Sequence, residues 1–469
     1  MKYISLTILL IVIFACRINA QYISGIIEYT PAPGQFINTD SYGSPDAALS
    51  IIGTTNGIVS LGAFGGYIIF KFENPVENDP ENPYGIDFTV FGNPASAESS
   101  EPGIVSVMKD ENNNGLPDDT WYELAGSDYF FSNTIHNYGI TYNNPQQEEA
   151  ADVAWTDNTG NSGFVYANSY HTQPYYPSAE YFPDIDQNAY SLEGTKIIAS
   201  VDTSNPGNIK SYCRSFGYAD NKIRGDINSN VPDNPYTADT EGMGGDSFDI
   251  SWAVDQNGNY ADLDEIDFVK VHCGVNADMM MLGELSTEIS GAVDISPDQS
   301  ISGTELSVVI KDLPPQLYTD TSYTLEVFAF NKGRLQSYDI NTELDLDGAY
   351  IDEDNILNLT QPGTLTITAY LTDNPDIGTS ITREVYEPES IGKSESSEIL
   401  IYPVPANNFF EIKNINKAEI TITDNYGRTV KKVKYNGNKI DVSSLPSGIY
   451  FIITETNETV TSEKLIIAK

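Results

Sequence analysis

Cysteine, histidine and basic residues are all scarce in this chain of 469 residues. Two of its three cysteines, Cys213 and Cys273, follow the N-terminal segment, so at most one disulfide can form between them; two separate thiols are equally compatible with the sequence. None of the three histidines stands in an HExxH frame, which excludes that zinc-protease motif. Acidic residues outnumber basic ones by 67 to 24, and the formal net charge of −43 argues against nucleic acid and anionic lipid as partners.

Long apolar runs are absent too. Lys2 precedes an apolar run over residues 4–15, and small residues precede Gln21. A basic start, a short apolar core and a small-residue cleavage site predict a secretory signal peptide over residues 1–20, cut between Ala20 and Gln21; lipid attachment at Cys16 is an alternative. No later stretch approaches the roughly 20 apolar residues of a membrane span, so no transmembrane segment is predicted.

Alternation of apolar and polar residues is the main structural pattern. It recurs at residues 23–29, 66–72, 86–91, 104–108, 248–254 and 266–271, between turn clusters such as Asn-Pro and Asn-Gly. The 30 tyrosines, 36 glycines and 25 prolines also fit an all-β protein. We therefore predict that residues 21–296 form a large jelly-roll-like β-sandwich, which is the ligand-binding domain. An immunoglobulin-like β-sandwich is predicted at 297–389.

The C-terminal region differs in charge from the rest of the chain. Residues 399–469 hold nine basic and seven acidic residues, so residues 1–398 carry a formal charge of −45. The preceding segment, 390–398, is short, polar and rich in serine, which predicts a flexible linker. Short alternating runs closed by Pro, Asn and Gly turns predict a small β-sandwich at 399–469.

Four motifs of this tail carry a family resemblance. They are YPVPA at 402–406, NYGR at 425–428, LPSGIY at 445–450 and KLII at 464–467. The tail closely resembles the C-terminal sorting domain of the type IX secretion system of Bacteroidota. The resemblance implies that the type IX secretion machinery is a partner, and that the protein is carried across the outer membrane. It also implies that the tail is removed and that the protein is extracellular or attached to the outer cell surface.

Residues 110–119, with the sequence DENNNGLPDD, have the clearest pattern of candidate metal ligands in the chain. Oxygen-bearing side chains recur at alternate positions, and Gly115 stands where the chain must turn sharply. This spacing resembles a calcium loop, while the preceding strand pattern and Trp121 at the position of the closing Glu exclude an EF-hand. The alternative is a tight Asn-Gly turn. The predicted calcium ligands are Asp110, Asn112, Asn114, Leu116, Asp118 and Asp119.

Aromatic residues predict a second kind of site. The stretch 143–187 shows little periodicity but is rich in tyrosine, which is typical of a functional loop region. Exposed tyrosines make flat contacts to sugars and large ring ligands, so we predict Tyr175, Tyr176 and Tyr218 as ligand-binding residues. Packing inside the sandwich is the alternative for each of them.

The first domain resembles a family of Bacteroidota cell-surface proteins, some of which occur beside corrinoid uptake components. The motifs that carry this resemblance lie at 60–66, 100–105, 110–124, 216–221, 248–254 and 266–269. No nucleophile–base pair or catalytic metal frame is visible, so no catalytic residue is predicted. We therefore expect a noncatalytic binding protein with a calcium-stabilised β domain, whose ligand is a corrinoid or a glycan. The alternatives are an extracellular hydrolase, such as a glycoside hydrolase or lyase, and a structural adhesin.

Overall fold

The structure is a computed structural model that describes residues 21–205, 207–222, 245–294 and 305–388. In the C-terminal region it describes residues 400–403, 406–413, 415, 417–424, 428–446, 448–456 and 460–467. The predicted signal peptide with Ala20, and the predicted linker 390–398, lie outside the described residues. The chain divides into two compact units, one ending at Tyr386 and the other beginning at Glu387.

Strands dominate the first part of the larger unit, because its apolar residues alternate with polar ones and Gly, Asn and Pro turns separate the runs. Its described residues contain one α-helix, α1 (Pro45–Leu49), and three 3₁₀ helices, η1 (Pro83–Gly85), η2 (Ile250–Trp252) and η3 (Met280–Leu282). The strands are β1 (Gln21–Tyr22), β2 (Gly25–Thr30), β3 (Val59–Ser60), β4 (Tyr67–Glu77), β5 (Phe88–Phe91), β6 (Gly103–Met108), β7 (Trp121–Leu124), β8 (Ile135–Asn143), β9 (Val153–Asp157), β10 (Ser162–Val165), β11 (Ala189–Lys196), β12 (Val201–Asp202), β13 (Lys210–Ser211), β14 (Asp246–Phe248), β15 (Ala253–Val254), β16 (Glu265–Cys273), β17 (Glu288–Ile289) and β18 (Gly291–Asp294).

Two sheets of this region enclose the main hydrophobic core. One has the strand order β1-β18-β5-β14, and the other, with six strands, has the order β15-β7-β6-β16-β4-β2. Every second residue of the central strands β6 and β16 points into the core, including Val105, Val107, Val269 and Val271, which are all fully buried. The residues between them lie on the opposite face of the six-stranded sheet.

A second layer of structure has its own core. The sheet β10-β9-β8-β11 packs buried aromatic and aliphatic residues against Phe64, which follows β3. The hydroxyl of Tyr142 on β8 donates to the Phe64 carbonyl at 2.9 Å, and the rings of Phe64 and Tyr138 meet edge to face. These contacts attach β8 and β11 to the large sandwich.

The third part of the larger unit lies between residues 305 and 386. It forms three small sheets around a core of aliphatic residues, with strand orders β19-β22-β23, β20-β28-β27-β24 and β21-β26-β25. The rings of Phe328 and Phe131 stack at 4.9 Å, and Phe330 contributes to the main core of the first sandwich. The strands are β19 (Leu306–Ile310), β20 (Gln316–Tyr318), β21 (Tyr323–Thr324), β22 (Val327–Asn331), β23 (Arg334–Gln336), β24 (Ile340–Leu344), β25 (Ala349–Ile351), β26 (Ile356–Leu359), β27 (Gly363–Leu371) and β28 (Asn374–Tyr386).

The smaller unit is also built from strands. Its two sheets, β29-β30-β33 and β32-β31-β34-β35, supply the residues of one core, among them Phe410, Ile420 and Ile452. Parts of the tail motifs, residues 404–405, 425–427 and 447, lie outside the described residues. The strands are β29 (Leu400–Tyr402), β30 (Phe409–Lys413), β31 (Ala418–Asp424), β32 (Thr429–Tyr435), β33 (Ile440–Asp441), β34 (Gly448–Glu455) and β35 (Val460–Ile467).

The all-β fold class predicted from the sequence is confirmed. None of the helices in the part of the chain that the structure describes is long and apolar enough to cross a membrane. Cys213 and Cys273 are not joined to each other by a disulfide, and the Cys273 thiol is buried, with the carbonyl oxygen of Leu285 3.5 Å from its Sγ.

Candidate functional site

A row of polar side chains crosses the outer face of the six-stranded sheet. Strand pairing places Ser106 of β6 opposite Glu123 of β7 on one side and opposite Lys270 of β16 on the other. Directly opposed residues of neighbouring strands point to the same face, so these three side chains lie side by side. The register therefore brings a hydroxyl, a carboxyl and an ammonium group together on the sheet surface.

Segments of the second layer stand beside this row and form a cavity of about 260 Å³, which we call the sheet cleft. Its lining includes Trp121, Glu123, Tyr129, His136, Glu193 and Lys270. At Gly194 of β11 the backbone passes directly over the imidazole of His272. A Cβ atom there would lie 2.5 Å from His272 Nε2, so only glycine lets β11 approach the sheet this closely.

Thr195 links the ionisable groups of the sheet cleft. Its hydroxyl donates to Glu123 Oε2 at 2.5 Å, and His136 Nδ1 lies 3.4 Å from the Thr195 hydroxyl oxygen. His272 Nε2 donates to the Thr195 carbonyl at 3.1 Å. Burial raises the pKa of Glu123 to about 7, although the Thr195 hydrogen bond opposes this shift. Burial, followed by the nearby Lys270 charge, lowers the pKa of His272 to about 4, so that imidazole is neutral at pH 7.

Aromatic rings and charges of both signs complete the sheet cleft. The ring of Tyr129 lies 4.4 Å from that of His136, and burial together with Glu123 and Asp255 raises the pKa of Tyr129 to about 12. Burial lowers the pKa of Lys270, whose Nζ lies 4.2 Å from the ring centroid of Tyr67. A concave site that combines aromatic surface with perturbed ionisable groups is a good candidate for ligand binding or catalysis.

The predicted calcium loop connects two strands of the sheet cleft, β6 and β7. Its side chains converge on one another: both oxygens of Asp118 accept from Asn114 Nδ2 at 3.1 Å, and Asn112 Nδ2 donates to Asp118 Oδ1 at 3.2 Å. The Asp110 carboxylate accepts the backbone N–H groups of Asn114 and Gly115 at 3.0 and 2.7 Å.

The donor types of this loop fit calcium. Carboxylates from Asp110, Asp118 and Asp119, amide oxygens from Asn112 and Asn114, and the Leu116 carbonyl supply six oxygens, and calcium takes six to eight. Asp267, which the motif does not include, accepts the Asp110 backbone N–H at 2.7 Å and ties the start of the loop to β16. The hydrogen bonds within the loop also fit the alternative of a tight turn.

A carboxylate cluster lies elsewhere in the sandwich. Oxygen atoms of Glu101, Asp220 and Glu288 lie within 4.8 Å of one another. The Asp220 carboxylate accepts the backbone N–H groups of Asn93 and Glu288, both at 2.8 Å. Burial, and then the charge of the neighbouring Glu288, raises the pKa of Glu101 and of Asp220 well above the usual range. These groups can share protons or hold a hard cation. Their proximity could not be predicted, because 187 positions separate the first from the last.

The three tyrosines predicted to bind a ligand are buried. Tyr175, Tyr176 and Tyr218 expose 1 %, 2 % and 1 % of their surface, and their hydroxyls make hydrogen bonds to the backbone of Asn168, Asp186 and Asp128 respectively. The prediction assumed that these rings are exposed, and the structure corrects that assumption. The loop region around Tyr175 folds its rings into the second core. Ligand binding by these residues stays a prediction.

The sheet cleft was not predicted from the sequence as a site. Trp121 and Glu123 stand directly after the predicted calcium loop, in the sequence TWYEL. The alternation there predicts a strand but does not show which strands pair with it.

Gln21, the residue after the predicted cleavage site, begins β1, and its side-chain amide donates to Asp294 Oδ2 at 2.5 Å.

Three solved structures illustrate what the chain is similar to. They are domains 4 and 5 of the S-layer protein SbsC (13 % identity, 35 % of this chain and 98 % of that chain, TM-score 0.17), the Escherichia coli adhesin FdeC (10 %, 46 % and 80 %, TM-score 0.18) and extracellular domains 3–5 of Drosophila OTK (10 %, 46 % and 84 %, TM-score 0.19). At these TM-scores the similarity carries no argument about function. No curated protein matches the chain.

The tail of the chain matches a known family. Residues 400–468 match the secretion system C-terminal sorting domain, which confirms the predicted type IX sorting segment. The resemblance of residues 22–296 to Bacteroidota cell-surface proteins gains no support from these comparisons. The sorting domain indicates that the protein is exported to the extracellular space or the outer cell surface, and that it interacts with the secretion machinery.

Proposed function

We propose that this exported protein is a binding protein whose sheet cleft takes the end of a neutral glycan. The observation that carries the proposal is the cleft itself, where the aromatic rings of Trp121 and Tyr129 stand beside carboxyl, amide and ammonium groups. Sites for small ligands combine apolar walls with a few polar groups that fix orientation. A sugar presents both kinds of surface, since its ring face is apolar and its edge carries hydroxyl groups.

The polar groups of the cleft suit hydroxyl groups in particular. Glu123 changes protonation near neutral pH, so its carboxyl group can donate or accept a hydrogen bond there. Glu193 and Asp255 accept hydrogen bonds, whereas Lys270 donates, and the carboxyl groups outnumber the one ammonium group, which disfavours an anionic ligand. A neutral polyhydroxylated ligand therefore meets both donors and acceptors without bringing a charge of its own.

The size of the cleft separates the two ligand classes predicted from the sequence. Its volume of about 260 Å³ lies just below the roughly 300–1,000 Å³ typical of drug-sized ligands. One or two sugar units suit that space, whereas a corrinoid is a macrocycle larger than a drug-sized molecule. We therefore favour the glycan over the corrinoid.

Calcium binding by the Asp110 loop belongs to the same proposal. The loop joins β6 to β7, and these strands carry Ser106, Trp121 and Glu123 of the sheet cleft. A cation held by the Asp110 and Asp118 carboxylates would fix both strand ends, and so stabilise the cleft floor.

A second candidate function is glycoside hydrolysis, and Glu123 favours it. A general acid works best with a pKa near the working pH, and burial gives Glu123 a pKa of about 7. Glu193 and Asp255 line the same cleft and supply the second carboxylate that such an enzyme needs.

Binding of neutral oligosaccharides by the purified exported protein tests the proposal. Trp121→Ala should weaken binding of the best oligosaccharide by a few-fold or more, because one stacked aromatic contact contributes roughly 0.5–1.5 kcal/mol beyond its buried area. Tyr350→Ala, which removes an exposed ring outside the cleft, should bind like the parent. Equal binding by the Trp121→Ala variant would remove the cleft from consideration.

The same oligosaccharides separate the two candidate functions. Binding without new reducing ends supports the noncatalytic protein. Sustained release of reducing ends that disappears in Glu123→Gln, with binding retained, replaces it with the hydrolase.

A further inference from the structure

A second cavity lies where the turn of the β22–β23 hairpin meets the first sandwich. It has a volume of about 280 Å³, and its lining includes Asn78, Pro80, Asp249, Asn331, Lys332 and Arg334. Only 24 of the 469 residues are basic, yet two of them, Lys332 and Arg334, line this one cavity. Amide side chains from Asn78 and Asn331 add further hydrogen-bonding groups.

The hairpin turn is held firmly against the sandwich. Lys332 and Gly333 both have positive φ, 47° and 72°, as the tight two-residue turn between β22 and β23 requires. The buried Trp252 donates from Nε1 to the Lys332 carbonyl at 2.7 Å. A Cβ atom on Gly333 would lie 2.3 Å from the same Nε1, so the backbone packs directly on the indole. The backbone that carries Lys332 and Arg334 therefore has a fixed position.

The hydrogen-bonding capacity of the Arg334 guanidinium is only partly used in this position. Its guanidinium stands 4.4 Å from the ring centroid of Tyr260. Its Nε atom is buried and has no hydrogen-bond acceptor among the described residues. Buried donors are nearly always paired in folded proteins, so an unpaired guanidinium donor on a side chain that lines a cavity leaves a place for a further acceptor.

The acidic groups near the two cations do not cancel their charge. Lys332 Nζ lies 3.5 Å from Glu305 Oε1, and both side chains are partly exposed. The carboxyl group that lines the cavity itself is that of Asp249, and burial raises its pKa to about 7, although hydrogen bonds from Ser251 and then the charges of Arg334 and Lys332 oppose this shift. Because Asp249 holds its proton more tightly than an exposed carboxyl group does, it offsets the two cations less than a full negative charge would.

We propose that this cavity binds a small oxyanion, a carboxylate or a phosphate, through Arg334 and Lys332. The planar guanidinium suits a two-point contact to such a group, and the lysine adds a charge. The site is separate from the sheet cleft and stands independently of the glycan proposal. It lies between the hairpin and the sandwich, so the bound anion would join these two parts of the larger unit.

Titration of the purified exported protein with inorganic phosphate and with glucuronate, at constant ionic strength set by chloride, tests the proposal. At least one of the two anions should raise the melting temperature, and the one that does so identifies the oxyanion. Arg334→Met should weaken its binding about tenfold or more, since charged hydrogen bonds are the strong ones. Arg334→Lys keeps the charge but loses the planar fork, so it should bind with intermediate affinity.

Two controls keep the result specific. Lys210→Met removes a lysine that is also paired with a glutamate, Glu98 at 2.7 Å, but lies outside the cavity, and it should bind the anion like the parent. Glu123→Gln changes the sheet cleft and should also bind like the parent, which separates this site from the glycan site. A parent protein that neither anion stabilises, or a folded Arg334→Met variant with parental affinity, overturns the proposal.

Discussion

Burial changes the acid–base behaviour of several carboxyl groups in this protein. It raises the pKa of Asp294 to about 6, of Glu123 to about 7 and of Glu284 to about 8. Each group binds its proton more tightly in the folded state than in the unfolded chain. Its contribution to stability is therefore complete below its ordinary pKa near 4, and is lost as the pH rises through the folded value.

The substitution Glu123→Gln should remove one part of this pH dependence. The amide keeps the size of the neutral carboxyl group but does not ionise, so the variant should lose less stability than the parent between pH 5 and pH 8. The difference should be about 1–3 kcal/mol, since one pKa unit corresponds to about 1.4 kcal/mol. Urea unfolding of both proteins at the two pH values measures it, with Glu193→Gln, an exposed carboxylate of the same cleft, as the control. Parallel pH profiles of parent and Glu123→Gln would contradict the assignment.

The turn within the Asp110 loop was predictable from the sequence because it is a local feature. The Asp110 loop has its turn at Gly115, with φ of 75°, as the motif requires. Glu123 could not be identified, because its raised pKa comes from burial, and its hydrogen bond comes from Thr195, which a distant strand brings to it. The three tyrosines could be identified in the sequence, but their exposure could not. A ring such as that of Tyr175 suits a core as well as a surface, and only the packing of the folded chain decides between them.

At the scale of elements, β6 and β7 connect the two sites proposed for the first sandwich. The alternation at 104–108 predicted a strand, and β6 spans Gly103–Met108. Its pairing with β16, about 160 residues away, was not predictable from alternation, because any strand of the right period could pair there. That pairing creates the row of polar side chains, and the Asp110 loop closes the end of the same strands.

Removal of calcium should lower the melting temperature of the larger unit. Binding to the folded state alone contributes about 2.7 kcal/mol when calcium exceeds its Kd a hundredfold. Asp110→Ala combined with Asp118→Ala should abolish the response to a chelator, measured by thermal unfolding with and without EDTA.

Asp352→Ala is the matched control for this experiment. Asp352 also accepts backbone N–H groups in a turn, from Asp354 and Ile356 at 3.0 Å, and Asn358 Nδ2 donates to its other oxygen at 3.2 Å. This is therefore a similar turn of carboxylate and amide groups that lies outside the predicted calcium loop. The Asp352→Ala variant should respond to the chelator like the parent. A double variant that also responds like the parent would show that the Asp110 loop is only a turn, and would direct attention to the cluster of Glu101, Asp220 and Glu288.

The whole molecule consists of two units with different charge and different tasks. The tail of 399–469 carries a formal charge of +2, against −45 for the preceding residues. Its core is formed by its own residues, and the unit begins at Glu387. The tail was identifiable from sequence because its motifs are short and contiguous, whereas the sites of the larger unit depend on distant residues. The sheet cleft, the Asp110 loop and the oxyanion cavity all lie in the larger unit, so loss of the tail should leave them intact.

Deletion of residues 399–469 should therefore block export without changing ligand binding. The truncated protein should accumulate in the periplasm, because the sorting domain directs passage to the outer surface. Immunoblots of the medium, the cell surface and the periplasm measure this distribution. Ile420→Asp places a charge in the fully buried core of the tail and should cause the same retention at full length, whereas Ile420→Val should be exported like the parent. Surface display of the truncated chain would mean that the export signal lies outside the tail, and loss of oligosaccharide binding in it would mean that the tail contributes to the site.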